Sequence, residues 1–468
     1  MKKTPGGSSS EGLFVGKSHP ETFPFKSLSF GSVKHTNFAA QNSDLLRDFS
    51  LNIDIDALVT GLPNHNFSDI PDLARWLENL QYRMHGRSAG EGWRISMGSG
   101  SRALIYRFRV LMLEQTVQAM VKHRDPIFVE SLVYADIIPM FETICNPIGV
   151  ETDAFGICAE SLRKTLESWP PGKPKPKFLY TIPYGCNPTG ITATTERRKE
   201  ILKLAREHDF IILEDDPYYY LYYGPADRPP SYFALEATER TENGQCEVGR
   251  VVRFDSLTMI LSTGISIGWA SGPEELLARI ERHPIGLIKA LWLKHLVLSD
   301  VSVIRFPIDS TFKAWIRSRS EHHELCNGST PSSYLQATTL TQVIANALLS
   351  QWGYDGFNDK TRSVSSLYRQ KRDIFEAAMQ NHLEGLAEWQ LPDAGMFFWF
   401  KLLVPDSANI DVEALRDVVR RLPGAMFWQN GNSGYVRVSF SQPTKDEADK
   451  GLKRLGSFLR KEIGSAQA

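Results

Sequence analysis

The stretch Arg253-Phe254-Asp255-Ser256-Leu257-Thr258-Met259-Ile260-Leu261-Ser262-Thr263-Gly264-Ile265-Ser266-Ile267-Gly268-Trp269 decides the fold. It holds two short apolar runs, Val251–Asp255 and Ile267–Ala270, joined by a loop of Ser, Thr and Gly. Such runs, bounded by turn residues, read as buried strands. Working outward, residues 93 to 272 alternate short apolar runs with helical periods. That alternation predicts a mostly parallel sheet with crossover helices. The strand candidates are Arg94–Met97, Ile127–Glu130, Gly149–Glu151, Phe178–Ile182, Phe210–Glu214, Val251–Asp255 and Ile267–Ala270; Arg102–Met120 and Thr195–Glu207 are among the helices between them. In an open α/β sheet ligands bind beyond the carboxyl ends of the strands, and the polar motifs of this chain fall at such ends.

Composition narrows the classes. A chain of 468 residues is long enough for two domains and a large core. A net charge of −1 supplies no basic field for nucleic acid or an anionic membrane. The five cysteines are scattered without C-x-x-C spacing, which reads as reduced thiols in a cytoplasmic protein, with no disulfide framework and no metal site expected. Met1 to Gly12 reads as a disordered tail, and Pro284 to Leu298 is too short and too charged to span a bilayer. Before the sheet, Asp69 is the expected N-cap of a helix with Pro71 in its first turn and Leu73, Trp76, Leu77 and Leu80 on one face. After it, helices are expected over Ser333–Trp352 and Thr361–His382, then a mixed α/β unit closed by a helix over Lys445–Lys461.

Two further motifs sit at strand ends. Tyr184-Gly185-Cys186-Asn187-Pro188-Thr189-Gly190 lies between a strand and a helix, and Glu214-Asp215-Asp216-Pro217-Tyr218-Tyr219-Tyr220 ends a later strand. N-P-T-G alone is a common turn sequence. Together with the opening stretch, however, these motifs resemble the aromatic and 2-aminoadipate branch of the class I/II (fold type I) aminotransferases, which depend on pyridoxal phosphate (PLP). The likeness runs from about Phe23 to the C-terminal helix. It implies a large domain with a seven-stranded mostly parallel sheet, a smaller C-terminal α/β domain, and a homodimer. On that pattern residues 1–22 are a disordered tail and arm, and 23–92 an N-terminal arm with a dimer and small-domain segment. Residues 93–330 form the PLP-type domain, in which 283–330 is an insertion or lid, and 331–468 supply the interdomain helix and small domain.

The resemblance also implies roles. Asp216 matches the aspartate that pairs with the ring nitrogen, and Tyr219 and Asn187 match the groups bonded to the ring's phenolic oxygen. Tyr134 matches the aromatic residue stacked on the ring, and Arg437 the fork that holds the substrate carboxylate. Ser101, Arg102, Ser256 and Thr258 match the phosphate cup at a helix N-terminus.

The departures bear on mechanism. The family loop runs R-F-D-S-F-S-K-x-x-x-x-G-x-R-x-G-W; its Schiff-base lysine is Met259 here and its phosphate arginine is Ser266. Arg102 replaces a glutamine, Thr60 replaces the tyrosine that reaches the neighbouring subunit's phosphate, and the substrate-side arm has become Gly16-Lys17-Ser18-His19-Pro20. A thioether can neither form a Schiff base nor carry a proton, so an ordinary transaminase is not expected and PLP would be held non-covalently at most. Three readings follow. The first is a repurposed biosynthetic enzyme that works by acid–base catalysis, with Asp216 as base, on a cyclisation, elimination or condensation of a carboxylate-bearing, amino-acid-derived or aromatic substrate. The second is residual PLP chemistry on an aromatic or 2-amino acid, with Lys289, Lys294 or Lys313 reaching the pocket. The third is a non-catalytic binding protein using residues 283–330 as its partner surface.

Overall fold

The computed structural model describes residues 70–111, 124–282, 337–403, 421–423 and 434–467, apart from 89, 144, 241–243, 245 and 262–264, and a two-residue ribbon of Leu28–Ser29 with Ser50–Leu51. The expected tail and substrate-side arm over 1–22, the Thr60 position and the 283–330 segment with its three lysines therefore lie outside the described residues.

The large sheet has seven strands: β1 (Trp93–Gly98), β2 (Pro126–Glu130), β3 (Asn146–Val150), β4 (Phe178–Thr181), β5 (Ile211–Asp215), β6 (Val251–Ser256) and β7 (Gly268–Pro273). Their order is β1-β7-β6-β5-β4-β2-β3. The pairs β2–β3, β2–β4, β4–β5 and β5–β6 are parallel, and β7 runs antiparallel to both neighbours. Alternate side chains of β5 enter different cores. Ile211 and Leu213 join one cluster with helix α2 (Ser101–Leu111), while Ile212 joins another with α4 (Ala159–Glu167), α5 (Thr195–Glu207) and α6 (Tyr232–Thr238). Burial on both faces is why the strands read as continuous apolar runs.

Helix α1 (Pro71–His85) ends on Gly86 at φ 65, whose N–H bonds Tyr82 O. Ile70, not Asp69, holds the N-cap position, and its N–H donates to Gln342 Oε1 at 2.9 Å. The helix start therefore has no side-chain cap of the expected kind, and the amide of Gln342 satisfies the N–H of the N-cap residue itself. The two helices expected after residue 333 adjoin within one span, α8 (Thr339–Leu383), and are separated at Gly353, where φ is 62 and ψ −173; a positive φ is unstrained only for glycine. Strands β8 (Ala387–Trp389), β9 (Phe397–Leu402), β10 (Arg421–Pro423) and β11 (Tyr435–Ser439) form a smaller sheet in the order β8-β9-β11-β10, packed with helix α9 (Lys445–Gln467). Arg437 enters from β11. None of the described helices is long and apolar enough to cross a membrane.

Candidate active site

Five strand ends converge. Ser101 follows β1, Tyr134 follows β2, Asn187 follows β4, Asp215 ends β5 and Ser256 ends β6. The doubled letters Asp215-Asp216 and Tyr218-Tyr219 then divide between two sides of the β5 end.

Asp216 and Tyr219 turn away from the other site residues, contrary to the expectation from sequence. Asp216 Oδ2 pairs with Arg253 Nη1, and Arg253 also grips Asp255 in a fork, at 2.9 Å (Nε–Oδ2) and 2.7 Å (Nη2–Oδ1). Glu214 Oε1 stands 3.4 Å from the same guanidinium, and every side chain in this group is fully buried. Glu214 meanwhile accepts from the N–H groups of Tyr232 and Phe233 at 2.8 and 3.1 Å, capping α6. Tyr219 packs 4.5 Å beneath the Arg253 guanidinium and donates to Met84 O at 3.3 Å, which ties it to α1. Burial drives the Asp216 carboxyl well above its ordinary range, with Arg253 opposing. The network is a buried brace between β5, β6 and α6. The physical reason for the difference is strand alternation: Asp215, two residues beyond Leu213, takes the side of the strand to which the β5 end of the site belongs.

Asp215 is 6% exposed. Tyr180 donates to its Oδ2 at 2.6 Å, while its Oδ1 is buried with no hydrogen-bond partner among the described residues. Burial raises the carboxyl from 3.8 to about 6, against the hydroxyls of Tyr180 and Ser101, which favour the charged form. Tyr218 shares a packing cluster with Tyr134, Met259 and Phe397, whereas Tyr219 belongs to a different one. The Tyr218 ring meets Phe397 edge-on at 6.4 Å, the Arg437 guanidinium lies 4.2 Å over Phe397, and Arg437 Nη1 donates to Asn187 Oδ1 at 2.6 Å. Beneath Asn187, Cys186 donates to buried Glu130 at 3.1 Å, and burial lifts that glutamate to about 7.

The opposite end is a cup of hydroxyls at the start of α2. A Cβ on Gly268 would lie 2.6 Å from Gly100 C and 2.7 Å from Ser101 N, so β7 packs directly on the helix start. A Cβ on Gly100 would lie 3.8 Å from Ser266 Oγ and 3.9 Å from Thr258 Oγ1. Ser256 Oγ accepts from Thr258 N at 3.2 Å, fixing the turn that leads to Met259. Met259 is half-buried against the main core. Arg102, expected at this cup, instead pairs with Asp136 at 2.8 Å. Tyr134 donates to the same Asp136 oxygen at 2.6 Å, and burial together with this bond holds its phenol up at about 12.

The family model for aminotransferase class I and II matches residues 92–284. Aminotransferase tdiD of Emericella nidulans is 33% identical over 454 residues, covering 96% of this chain and 88% of that protein. The chain belongs to the class I and II aminotransferases. Within the family, the mitochondrial kynurenine/alpha-aminoadipate aminotransferase of Rattus norvegicus is 30% identical over 467 residues, or 96% of this chain and 91% of its own. Among solved structures, the aromatic aminotransferase Aro9 of C. albicans aligns with a TM-score of 0.68 at 21% identity, over 100% of this chain and 96% of its own. The Pyrococcus horikoshii kynurenine aminotransferase, solved with PMP, gives 0.62 at 24%, over 87% and 86%. Both support the same fold.

This family is PLP-dependent, and the site fits the cofactor's ring better than its covalent attachment. The buried, unpartnered Asp215 Oδ1 is a waiting acceptor for a ring N–H, and the α2 cup offers backbone N–H groups and hydroxyls to an anion. No amine stands at position 259, and no lysine occurs between Arg250 and Pro284. Asp215 and Tyr218 are the residues that the sequence reading passed over.

Proposed function

We propose that this chain is an aminotransferase-family enzyme whose pocket binds a pyridoxal-phosphate-type cofactor non-covalently and acts on an aromatic or 2-amino acid or its oxo counterpart. The observation that carries the reading is the orphaned Asp215 Oδ1, on the side of the strand end that carries Tyr218, with Tyr134 and Met259 packed against the same core. Asp215 would hold the ring nitrogen protonated, Tyr218 and Asn187 would meet the ring hydroxyl, and Tyr134 would pack on the ring face. Ser101, Ser256, Thr258 and the first turn of α2 would take the phosphate. When bound, such a cofactor supplies an electron sink for charge developing on the substrate. Arg437, already oriented by Asn187 and by the Phe397 ring, would fix the substrate carboxylate with its fork. Met259 contributes apolar contact and no base, so ordinary transamination should be slower by about two to four orders of magnitude.

A second reading is favoured by Ser266 standing where the family's phosphate arginine is expected. Here the pocket takes a carboxylate-bearing, amino-acid-derived or aromatic substrate without PLP. Asp215, whose carboxyl titrates near 6, would exchange a proton at Oδ1 in a cyclisation, elimination or condensation. We also propose a cytoplasmic homodimer, on the family resemblance and on described cysteines that are all free thiols, and the domain boundaries stated above.

The test is a PLP titration of the native protein and of Met259→Lys, followed by absorbance and tryptophan fluorescence. Saturable binding by the native protein without a Schiff-base band, and with that band in Met259→Lys, supports the first reading. No binding by either protein refutes it and leaves the second.

A further inference from the structure

We infer that Arg102 has taken over the phosphate-binding role of the family arginine missing at Ser266, and that Asp136 is its resting partner in the absence of ligand. The inference rests on the cofactor reading above and concerns residues particular to this chain. Arg102 is the second residue of α2, next to the Ser101 N–H against which Gly268 packs. Its guanidinium lies over the Tyr134 ring, 6.0 Å from the centroid, beside the residue proposed to pack on the cofactor ring. The ion pair that holds it there is loose in energetic terms. Arg102 is 68% exposed and Asp136 45% exposed, and exposed pairs contribute about 0–1 kcal/mol. A phosphate dianion presents more charge and more acceptor oxygens than one carboxylate, and a guanidinium binds such a group through parallel N–H bonds. Asp136 is not left without a partner by the exchange, since Tyr134 still donates to it.

The site is more than a helix start. Asp215, 6% exposed with Oδ1 unpartnered, is close enough to Ser101 for that hydroxyl to favour its charged form. One ligand with an N–H at one end and an anion at the other would satisfy both. Among the described residues the cup contributes hydroxyls and backbone N–H groups, from Ser101, Ser256, Thr258 and Ser266, and no cation other than Arg102 beside it. Ser266 is short and exposed, and its Oγ is turned to Ser99 O at 3.3 Å. An uncharged cup with an exposed guanidinium one residue along the helix favours a phosphorylated ligand when that guanidinium turns to it.

Binding of PLP and of pyridoxal, which lacks the phosphate, would be measured by tryptophan fluorescence on the full chain as native protein, Arg102→Gln, and Arg102→Gln with Ser266→Arg. The expected result is that Arg102→Gln weakens PLP about tenfold and leaves pyridoxal within about twofold, and that Ser266→Arg restores PLP affinity in that background. Addition of inorganic phosphate should compete with PLP in the native protein and less so in Arg102→Gln. Equal weakening of PLP and pyridoxal, or no weakening of either, would overturn the role of Arg102 while leaving the cofactor reading standing. Failure of the native protein to bind either compound would sink both. The melting temperature of Arg102→Gln should be unchanged, because the pair it removes is exposed.

Discussion

Replacing Asp215 by Asn should strengthen the fold at alkaline pH and weaken the site. In the folded chain the carboxyl titrates near 6, against an ordinary 3.8. Ionising it inside the protein therefore costs folding about 3 kcal/mol. The sign follows from the direction: the folded value is raised, so the cost is complete above pH 6 and fades as pH falls towards 3.8. About half of it remains at pH 5. Asn keeps an oxygen to accept from Tyr180 and carries no charge, although its amide must itself be buried, with a cost that does not depend on pH. The informative quantity is thus the change in the mutant-minus-native difference. Urea unfolding at pH 5 and pH 8 should show that difference moving in the mutant's favour by about 1.5 kcal/mol. In parallel, PLP affinity should fall by about tenfold to a hundredfold, the worth of a hydrogen bond to a charged partner. A stability difference identical at the two pH values would refute the assignment of a buried, ionisable Asp215. Unchanged PLP affinity would refute its role at the ring.

Further outcomes follow from the same geometry. Arg253→Met leaves Glu214, Asp216 and Asp255 buried around an apolar side chain and should cost about 3–5 kcal/mol in urea unfolding; a loss below about 1 kcal/mol would show that the network is not the brace described. Gly268→Ala places a methyl 2.6 Å from Gly100 C, forcing backbone to move. It should lower stability by about 1–3 kcal/mol and weaken PLP more than pyridoxal, whereas equal binding of both ligands by native and mutant would show that the cup does not hold the phosphate.

Much of the large domain was legible because its inner strands are buried on both faces, so apolar runs located them; β3, a partly exposed edge strand, gave a weaker signal. The small sheet was harder to read: β10 is a three-residue strand that pairs with β11, and residues 404–420 and 424–433 on either side of it lie outside the described residues. The site was legible in kind and misread in detail. In Glu214-Asp215-Asp216-Pro217-Tyr218-Tyr219 two Asp–Tyr pairs have the same spacing, so motif matching cannot choose between them. Alternation from Ile211 through Leu213 to Asp215 could have, had the strand's outward faces been followed to its end. What no local pattern announces is the use made of the second pair. Asp216 needs Arg253, and Tyr219 needs Met84, partners far away in sequence. Ile70 as the N-cap was not legible either, because it carries no capping side chain and its own N–H is satisfied by the distant Gln342.

The brace around Arg253 has a genetic corollary. It pins the ends of β5 and β6 from behind, and Leu257 N–H closes the loop onto Ile267 O at 2.9 Å. Neither contact involves the side chain at 259. The methionine codon is a single base from a lysine codon, so an amine at position 259 is separated from this scaffold by the smallest step that mutation can take. A lysine at 259 would enter a turn already held by Thr258 N–H on Ser256 Oγ and by Leu257 N–H on Ile267 O. The scaffold around position 259 is therefore held independently of the side chain that stands there, and a change at 259 can occur without dismantling it.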